Sequence, residues 1–347
     1  FCNKTPAKAS ILNFVRRRRS PRVYRNSHLV GCSLKFISQT MKFSVITPSY
    51  RQGRFIERTI NSVLSQNIDG IESDMEYCIC DGGSDDETVE ILKRYDKQIN
   101  WVSEPDKGQT DAVNKGISKT TGEIIAWINS DDIYYPGTFK AVEEVFTANP
   151  EVEIIYGNAN WIDENDQVIE TFPTKSWDYQ RLRQDCYICQ PAVFFKRDLV
   201  EKFGNLDASL NYCMDYELWL RYGKDIEFYH LPRKLAGSRM YASNKTLGQK
   251  LPAHQEICTM LQKKFGRIPD NWLLGYCLIK VDETSTFNRF DDNQLRDFAK
   301  ALIYTVISEY RQRKQQIPPL IYPKMLFWFL FPKLSWFRRD IFQELEG

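Results

Sequence analysis

Glu123-Ile-Ile-Ala-Trp-Ile128 is a short apolar run that stops abruptly at Asn129-Ser130-Asp131-Asp132, where two carboxylates stand side by side. A run of this length, rich in β-branched residues and cut off by turn formers, reads as a buried strand. The same grammar occurs twice upstream. Phe43-Ser-Val-Ile-Thr-Pro48 closes on Pro48, and Glu76-Tyr-Cys-Ile-Cys80 runs into Asp81-Gly82-Gly83-Ser84-Asp85-Asp86. Between the strands lie segments of helical period: 55–66, with Ile56, Ile60, Val63 and Leu64 on one stripe, then 87–95 and about 110–119. Trp101-Val102 supplies a further short strand. Strands alternating with amphipathic helices imply an α/β chain with a parallel sheet. Polar clusters at the carboxyl ends of successive strands then fall where open sheets of this class bind ligands.

After Pro150 the pattern changes. Residues 154–158, a turn at 163–166, 168–171 and 192–195 suggest strands that are partly antiparallel, a helix follows over 215–222, and about 248–313 reads as helical packing with little motif content.

The 347 residues are 42% hydrophobic and 27% charged, which excludes a disordered or collagenous chain and leaves enough material for a large core. The net charge of +2 is a composite, because residues 1–40 carry nine Lys/Arg and no acid while the remainder sums to −7. An acidic body argues against a nucleic acid polymer as partner, since that binding rests on phosphate neutralisation. The basic leader at 1–40 lacks an apolar signal core ahead of Cys32, so the fold is expected to begin near Met41. Nine scattered cysteines, including Cys186 and Cys189 in a C-x-x-C, suit reduced thiols in a cytoplasmic setting. Only three histidines exist, and none stands at zinc-finger spacing.

Each polar cluster has a plain and a chemical reading. Asp81-Gly82-Gly83 can be only a turn, with Asp85 and Asp86 capping a helix, or Asp81 can accept hydrogen bonds from a ligand. Asp131 and Asp132 repel one another unless donors or a cation compensate them, and a hard cation held by one or two carboxylates plus substrate phosphates is the matching chemistry. The alternative is an exposed capping pair ahead of Pro136. Met214-Asp215-Tyr216-Glu217 opens an apolar helix, where acids are stabilised by the helix dipole with or without a chemical role.

Taken in order, Val45-Ile-Thr-Pro-Ser-Tyr50, Cys80-Asp-Gly-Gly-Ser-Asp-Asp-Glu-Thr88, Glu104-Pro-Asp-Lys-Gly108 with Asp111-Ala-Val-Asn-Lys-Gly116, Ile128-Asn-Ser-Asp-Asp132 and Asp215-Tyr-Glu-Leu-Trp-Leu-Arg221 resemble inverting glycosyltransferase family 2 over roughly residues 42–245. The resemblance implies a GT-A, Rossmann-like fold: a mixed central sheet flanked by helices, here with a catalytic region at 41–245 and a helical C-terminal extension at 246–319. It implies donor contacts from Pro48, Ser49, Tyr50, Asp81, Lys107, Gly108, Asp111 and Asp131, a Mg2+ or Mn2+ ion on Asp131 and Asp132, and Asp215 as general base, with Glu217 its nearest substitute. Gln190 and Arg239 become candidate acceptor or loop contacts, and Arg239, Tyr241, Ser243 and Lys245 fall where related enzymes close a loop over the diphosphate. Two departures stand out: Asn129 replaces the first acid of the family's D-x-D motif, and Met214 precedes Asp215 where the family often has Glu.

The implied reaction moves a sugar from a nucleoside diphosphate of UDP or GDP type to a saccharide or lipid-linked acceptor, in polysaccharide, O-antigen or glycolipid assembly. A sugar nucleotidyltransferase is a competing class, although Ser49-Tyr-Arg-Gln-Gly53 is a faint version of the basic glycine-rich loop it needs. A non-catalytic nucleotide-sugar binder is a third, opened by Asn129. The aromatic and basic tail at 320–347 has an uninterrupted apolar run, 325–331, far shorter than the ~20 residues that span a bilayer. It suits a membrane-surface anchor on the cytoplasmic face, or a helix packed on protein.

Overall fold

The computed structural model describes residues 41–67 and 75–338. The leader at 1–40 and Arg339 of the tail lie outside them. Nine strands form one sheet: β1 (Phe43–Ser49), β2 (Met75–Asp81), β3 (Asn100–Ser103), β4 (Ile124–Trp127), β5 (Ile133–Tyr134), β6 (Ile154–Ile162), β7 (Val168–Thr171), β8 (Val193–Lys196) and β9 (Tyr229–Arg239). Their order is β3-β2-β1-β4-β8-β6-β9-β5, with β7 paired to β6. The first four in that order are parallel. β8 runs antiparallel to both β4 and β6, and β9 returns parallel to β6. The mixed sheet expected from the sequence is therefore present, with the sense of direction changing at β8.

β1 is buried along its whole length because helices cover both faces of the sheet. Period-two alternation then divides each strand between two cores. Phe43 and Val45 of β1, Ile124 and Ala126 of β4, and Phe194 of β8 point into one cluster with Ile56, Ile60 and Val63 of helix Ile56–Leu64. Ile46, Ile125, Trp127, Val193 and Phe195 point into the other, with Val113 and Ile117 of helix Gln109–Lys119. That second helix lies so close to β1 that a Cβ on Gly116 would sit 2.4 Å from the Ile46 side chain. Only glycine fits there.

The helices of the C-terminal part build a third cluster around Leu273, Leu302 and Tyr310. Helix Lys250–Phe265 joins it to the sheet: Cys258 belongs to the third cluster, while Met260 and Leu261 are embedded in the core beneath helix Met214–Tyr222. β9 was not anticipated. Pro232, Arg233 and Lys234 interrupt any apolar alternation, and the pairing with β6 shifts register in that same stretch.

Register fixes the site. Ser49 pairs with Asp81, and Asp81 with Ser103, so three strand ends stand in one row. On the other side of β1, Ile46 pairs with Trp127 and accepts a bond from Ile128 N, which delivers Asn129 to Asp132 to the same edge.

Candidate active site

The turn after β1 is stapled to the turn after β2. Arg51 N donates to Ser84 Oγ (2.7 Å), Gln52 N to Thr88 Oγ1 (2.9 Å) and Gly53 N to Asp86 Oδ2 (3.0 Å). Arg51 adopts a positive φ of 52°, and its guanidinium binds Asp85 at 2.6 Å. Asp86 also accepts Thr88 N, so it caps the helix as well as holding the neighbouring turn. These bonds leave Tyr50 projecting, 53% exposed, from the rim, with Pro48 and Ser49 buried beneath it. Ser49 Oγ is buried without a hydrogen-bond partner among the described residues, an arrangement that calls for a group from outside the chain.

Asp81 is committed elsewhere. Its Oδ2 accepts Gly83 N, Ser84 N and Ser103 Oγ, and its Oδ1 accepts Ser84 Oγ. The carboxylate is 2% exposed and serves as the clasp of its own turn. Lys107 is exposed beside the site, and its backbone N donates to Asp111 Oδ2 (3.1 Å). Asp111 in turn pairs with Lys115 one helical turn along. Gly108, at φ 104°, begins the helix in a conformation that favours glycine.

Around β4 the four polar residues separate by role. Asn129 takes bonds from Trp127 Nε1 (3.1 Å) and Gln109 Nε2 (2.7 Å) and donates to Asp132 Oδ2 and Gln190 Oε1, both at 3.1 Å. Gln190 is buried and anchors this turn through Trp127 O. Asp132 is buried at 3% exposure and accepts Arg239 N at 2.8 Å. Burial, then the neighbouring Asp131 charge, pushes its carboxyl up to about 8. Asp131 is only partly covered; its Oδ2 accepts Tyr241 OH at 2.9 Å, and burial raises it too. Two adjacent acids held above their ordinary range are a donor set in want of positive charge, which fits a hard divalent cation. Among the described residues no cluster of three or more His, Cys, Asp or Glu could enclose a metal unaided, so ligand phosphates would have to complete its shell.

Arg239 corrects an expectation. Rather than sitting in a loop over a donor, it ends β9 at 2% exposure, with Nε bonded to Asp131 O, Nη1 to Asp163 O and Nη2 to Asp166. The guanidinium braces the acidic turn from behind and lies over the Phe55 ring. Lys245, from the same stretch, does face the acidic turn: its Nζ donates to Gln109 Oε1 (2.8 Å) and Asn211 O (3.1 Å) amid the charges of Glu256, Asp131 and Asp106.

Asp215 occupies the first turn of helix Met214–Tyr222. Burial pushes its carboxyl up to about 6, against the bond from Tyr216 N, and the Glu256 charge adds to the rise. Glu256 reaches across from helix Lys250–Phe265. Its Oε2 accepts Asn211 N (2.9 Å), and its Oε1 accepts Tyr212 N (2.7 Å) and Cys213 N (2.9 Å). One carboxylate thus holds three successive N–H groups at the entry to the helix that carries Asp215. Glu217 is no substitute base: Arg221 and Lys264 bind it at 2.8 and 2.6 Å and hold its carboxyl below the ordinary range in spite of burial. Among the described residues all seven cysteines are free thiols, Cys186 and Cys189 included.

The sequence of residues 44–204 matches the family described as Glycosyl transferase family 2. An uncharacterized glycosyltransferase of Nostoc sp. is 29% identical over 183 residues, covering 48% of this chain and 54% of that one. Escherichia coli chondroitin synthase is 26% identical over 231 residues, covering 64% of this chain and 33% of that one. The chain thus spans about half the length of the first relative and a third of the second. Among solved structures, S. aureus TarS in complex with UDP-GlcNAc superposes with a TM-score of 0.54 at 16% identity, over 80% of this chain and 93% of that one. The mannosyltransferase PcManGT from Pyrobaculum calidifontis, in complex with GDP-Man and Mn2+, gives 0.53 at 16%, over 86% and 84%. Residues 44–204 thus carry a glycosyltransferase family 2 domain, and the mixed sheet with the polar row at its parallel edge has the GT-A fold.

Proposed function

We propose that the chain is an inverting glycosyltransferase that moves a sugar from a nucleoside diphosphate to an acceptor hydroxyl in assembly of a polysaccharide or glycolipid. The observation that carries this reading is Asp215, a carboxylate raised to about 6 on a latched helix, close enough to the β4 turn that Cys189 lies in the charge of both Asp132 and Asp215. A base poised just below neutrality is ionised in the cell and still accepts a proton readily. The acceptor oxygen attacks the anomeric carbon and gives its proton to Asp215. The bond from that carbon to the diphosphate oxygen breaks, and the nucleoside diphosphate leaves.

In this reading Tyr50 offers a ring for the base to stack on, Ser49 Oγ finds its missing partner on the donor, and Lys107 with Lys245 meets the diphosphate. Asp131, with Asp132 beside it, would hold Mg2+ or Mn2+, which when bound would offset the charge gathering on the leaving group. Asp132 and Arg239 keep the Asp131 turn in place from behind. Asp81 acts by clasping the base-side turn, since its oxygens are occupied. Relatives named for chondroitin and hyaluronan synthesis, and fold neighbours holding UDP-GlcNAc or GDP-Man, favour a UDP- or GDP-sugar donor and a saccharide acceptor.

The test is a screen of nucleotide sugars against the purified chain with Mn2+ and oligosaccharide acceptors, read by mass spectrometry. An acceptor heavier by one sugar residue, together with released nucleoside diphosphate, supports transfer. Formation of a nucleotide sugar from a nucleoside triphosphate and a sugar 1-phosphate would assign the nucleotidyltransferase class instead. Donor binding without any product would make the chain a binder.

A further inference from the structure

Helix Ile321–Leu330 is apolar on both sides. Ile321, Met325 and Trp328, spaced at four and three residues, pack into the C-terminal core. The opposite side carries Tyr322, Leu326, Phe329 and Leu330, and the chain continues with Phe331 and Leu334, all exposed. A helix apolar all round belongs inside a large core or in contact with lipid. The surface is also rigid. Beyond the helix, Phe337 is fully buried against Phe298, and its carbonyl accepts Arg289 Nη1 at 2.9 Å, so the segment is folded back and pinned at both ends. Trp336 is thereby held 6.1 Å from Trp328, ring to ring, while remaining 41% exposed.

The charges around this face have one sign to spare. From Lys314 to Arg339 there is no acidic residue. A groove of about 430 Å3 at the end of the helix is lined by Leu330, Phe331 and Leu334 together with Asp292, Arg296 and Lys333. Lys333 is paired with Asp292, but Arg296 and, on the helix itself, Lys324 carry no ion pair among the described residues. No helix among the described residues is long and apolar enough to cross a bilayer. Exposed aromatic and aliphatic side chains with unpaired cations beside them are the chemistry of an element lying in the interface of an anionic membrane.

We propose that the outer face of helix Ile321–Leu330, with the Arg296 and Lys333 groove at its end, docks on the surface of an anionic lipid bilayer. Tyr322, Leu326 and Phe329 enter the boundary between headgroups and acyl chains, and Lys324 and Arg296 meet lipid phosphates. The inference goes beyond the proposed function and needs none of the transfer chemistry. Its test contains no sugar or nucleotide, so the two stand or fall separately.

The experiment is flotation of the full chain with vesicles of phosphatidylcholine and phosphatidylglycerol, against phosphatidylcholine alone. The full chain should float with the anionic vesicles, less so as salt is raised, and little with the neutral ones. Leu326→Glu with Phe329→Glu should lower the floated fraction roughly tenfold or more. Both side chains face outward, so the melting temperature should be unchanged. Arg296→Ser with Lys324→Ser should remove the preference for anionic lipid. The proposal is overturned if the full chain does not float with anionic vesicles. It is equally overturned if sedimentation shows a dimer that Leu326→Glu with Phe329→Glu dissociates, which would give the face to a second copy.

Discussion

A carboxylate that takes a proton from an acceptor hydroxyl must be ionised beforehand, and Asp215 becomes so as pH rises through about 6. Its raised value also has a sign for stability. The folded chain binds the Asp215 proton more tightly than the unfolded one, so ionised Asp215 disfavours the fold, and the penalty builds as pH rises from about 3.8 to about 6. At the two-unit rise that those values imply, it amounts to about 3 kcal/mol. Asp215→Asn should therefore melt several degrees higher than the parent above pH 6 and lose that advantage in acid; equal melting at neutral pH would mean that the site is wetter than its burial implies. Glu256 is predicted to act through Asp215. Glu256→Gln keeps one acceptor but removes the charge, so the acid limb of kcat/KM should move to lower pH while kcat falls about tenfold from the loosened 211–213 segment. A fall in kcat with an unmoved limb would leave Glu256 a purely mechanical role. The placement of Asp131 after a strand and of Asp215 at a helix start is legible in the sequence, because strand and helix punctuation marks both positions. Glu256 is not, since it sits on a helix with no motif and reaches the Asp215 helix only through the folding of the C-terminal part. Arg239 was misread because what it binds is largely backbone, Asp131 O and Asp163 O, which residue types do not announce.

At the level of elements, the turns after β1 and β2 behave as one unit. Asp86 joins them, accepting Gly53 N and Thr88 N with its two oxygens. Asp86→Ala should cost about 1–2 kcal/mol in chemical denaturation, the usual range for a lost cap and a lost tertiary bond. It should also raise the donor KM more than it lowers kcat, because Tyr50 stands on the released turn. The parallel half of the sheet was readable because β1, β2 and β4 are continuous apolar runs, each bounded by turn residues. β9 is hidden because Pro232, Arg233 and Lys234 break its alternation, so that Leu235 and Ala236, which enter the core, stand as a short isolated pair. The short β5, only Ile133 and Tyr134, exists because β9 is there to pair with it.

Across the whole molecule, one C-terminal helix, Lys250–Phe265, reaches the candidate site. Helix Lys250–Phe265 sends Glu256 to the Asp215 helix and Leu261 into the core below it. Leu261→Ala should cost about 2–5 kcal/mol through the cavity it leaves, and activity should drop with it because Glu256 rides on the same helix; thermal unfolding and turnover on one preparation would check both. The sequence reads this region as packing with little motif content, which is accurate for its composition and misses the reach of Glu256 to the Asp215 helix.

The central claim is that Asp215 takes the acceptor proton, and Asp215→Asn tests it most directly. Donor binding by calorimetry and single-turnover transfer should be measured on the same samples across pH. The account predicts donor affinity within about twofold of the parent and transfer reduced by about 10²–10⁴-fold, with the acid limb near pH 6 present in the parent and gone in the variant. Transfer at the parental rate with an unchanged limb would contradict it.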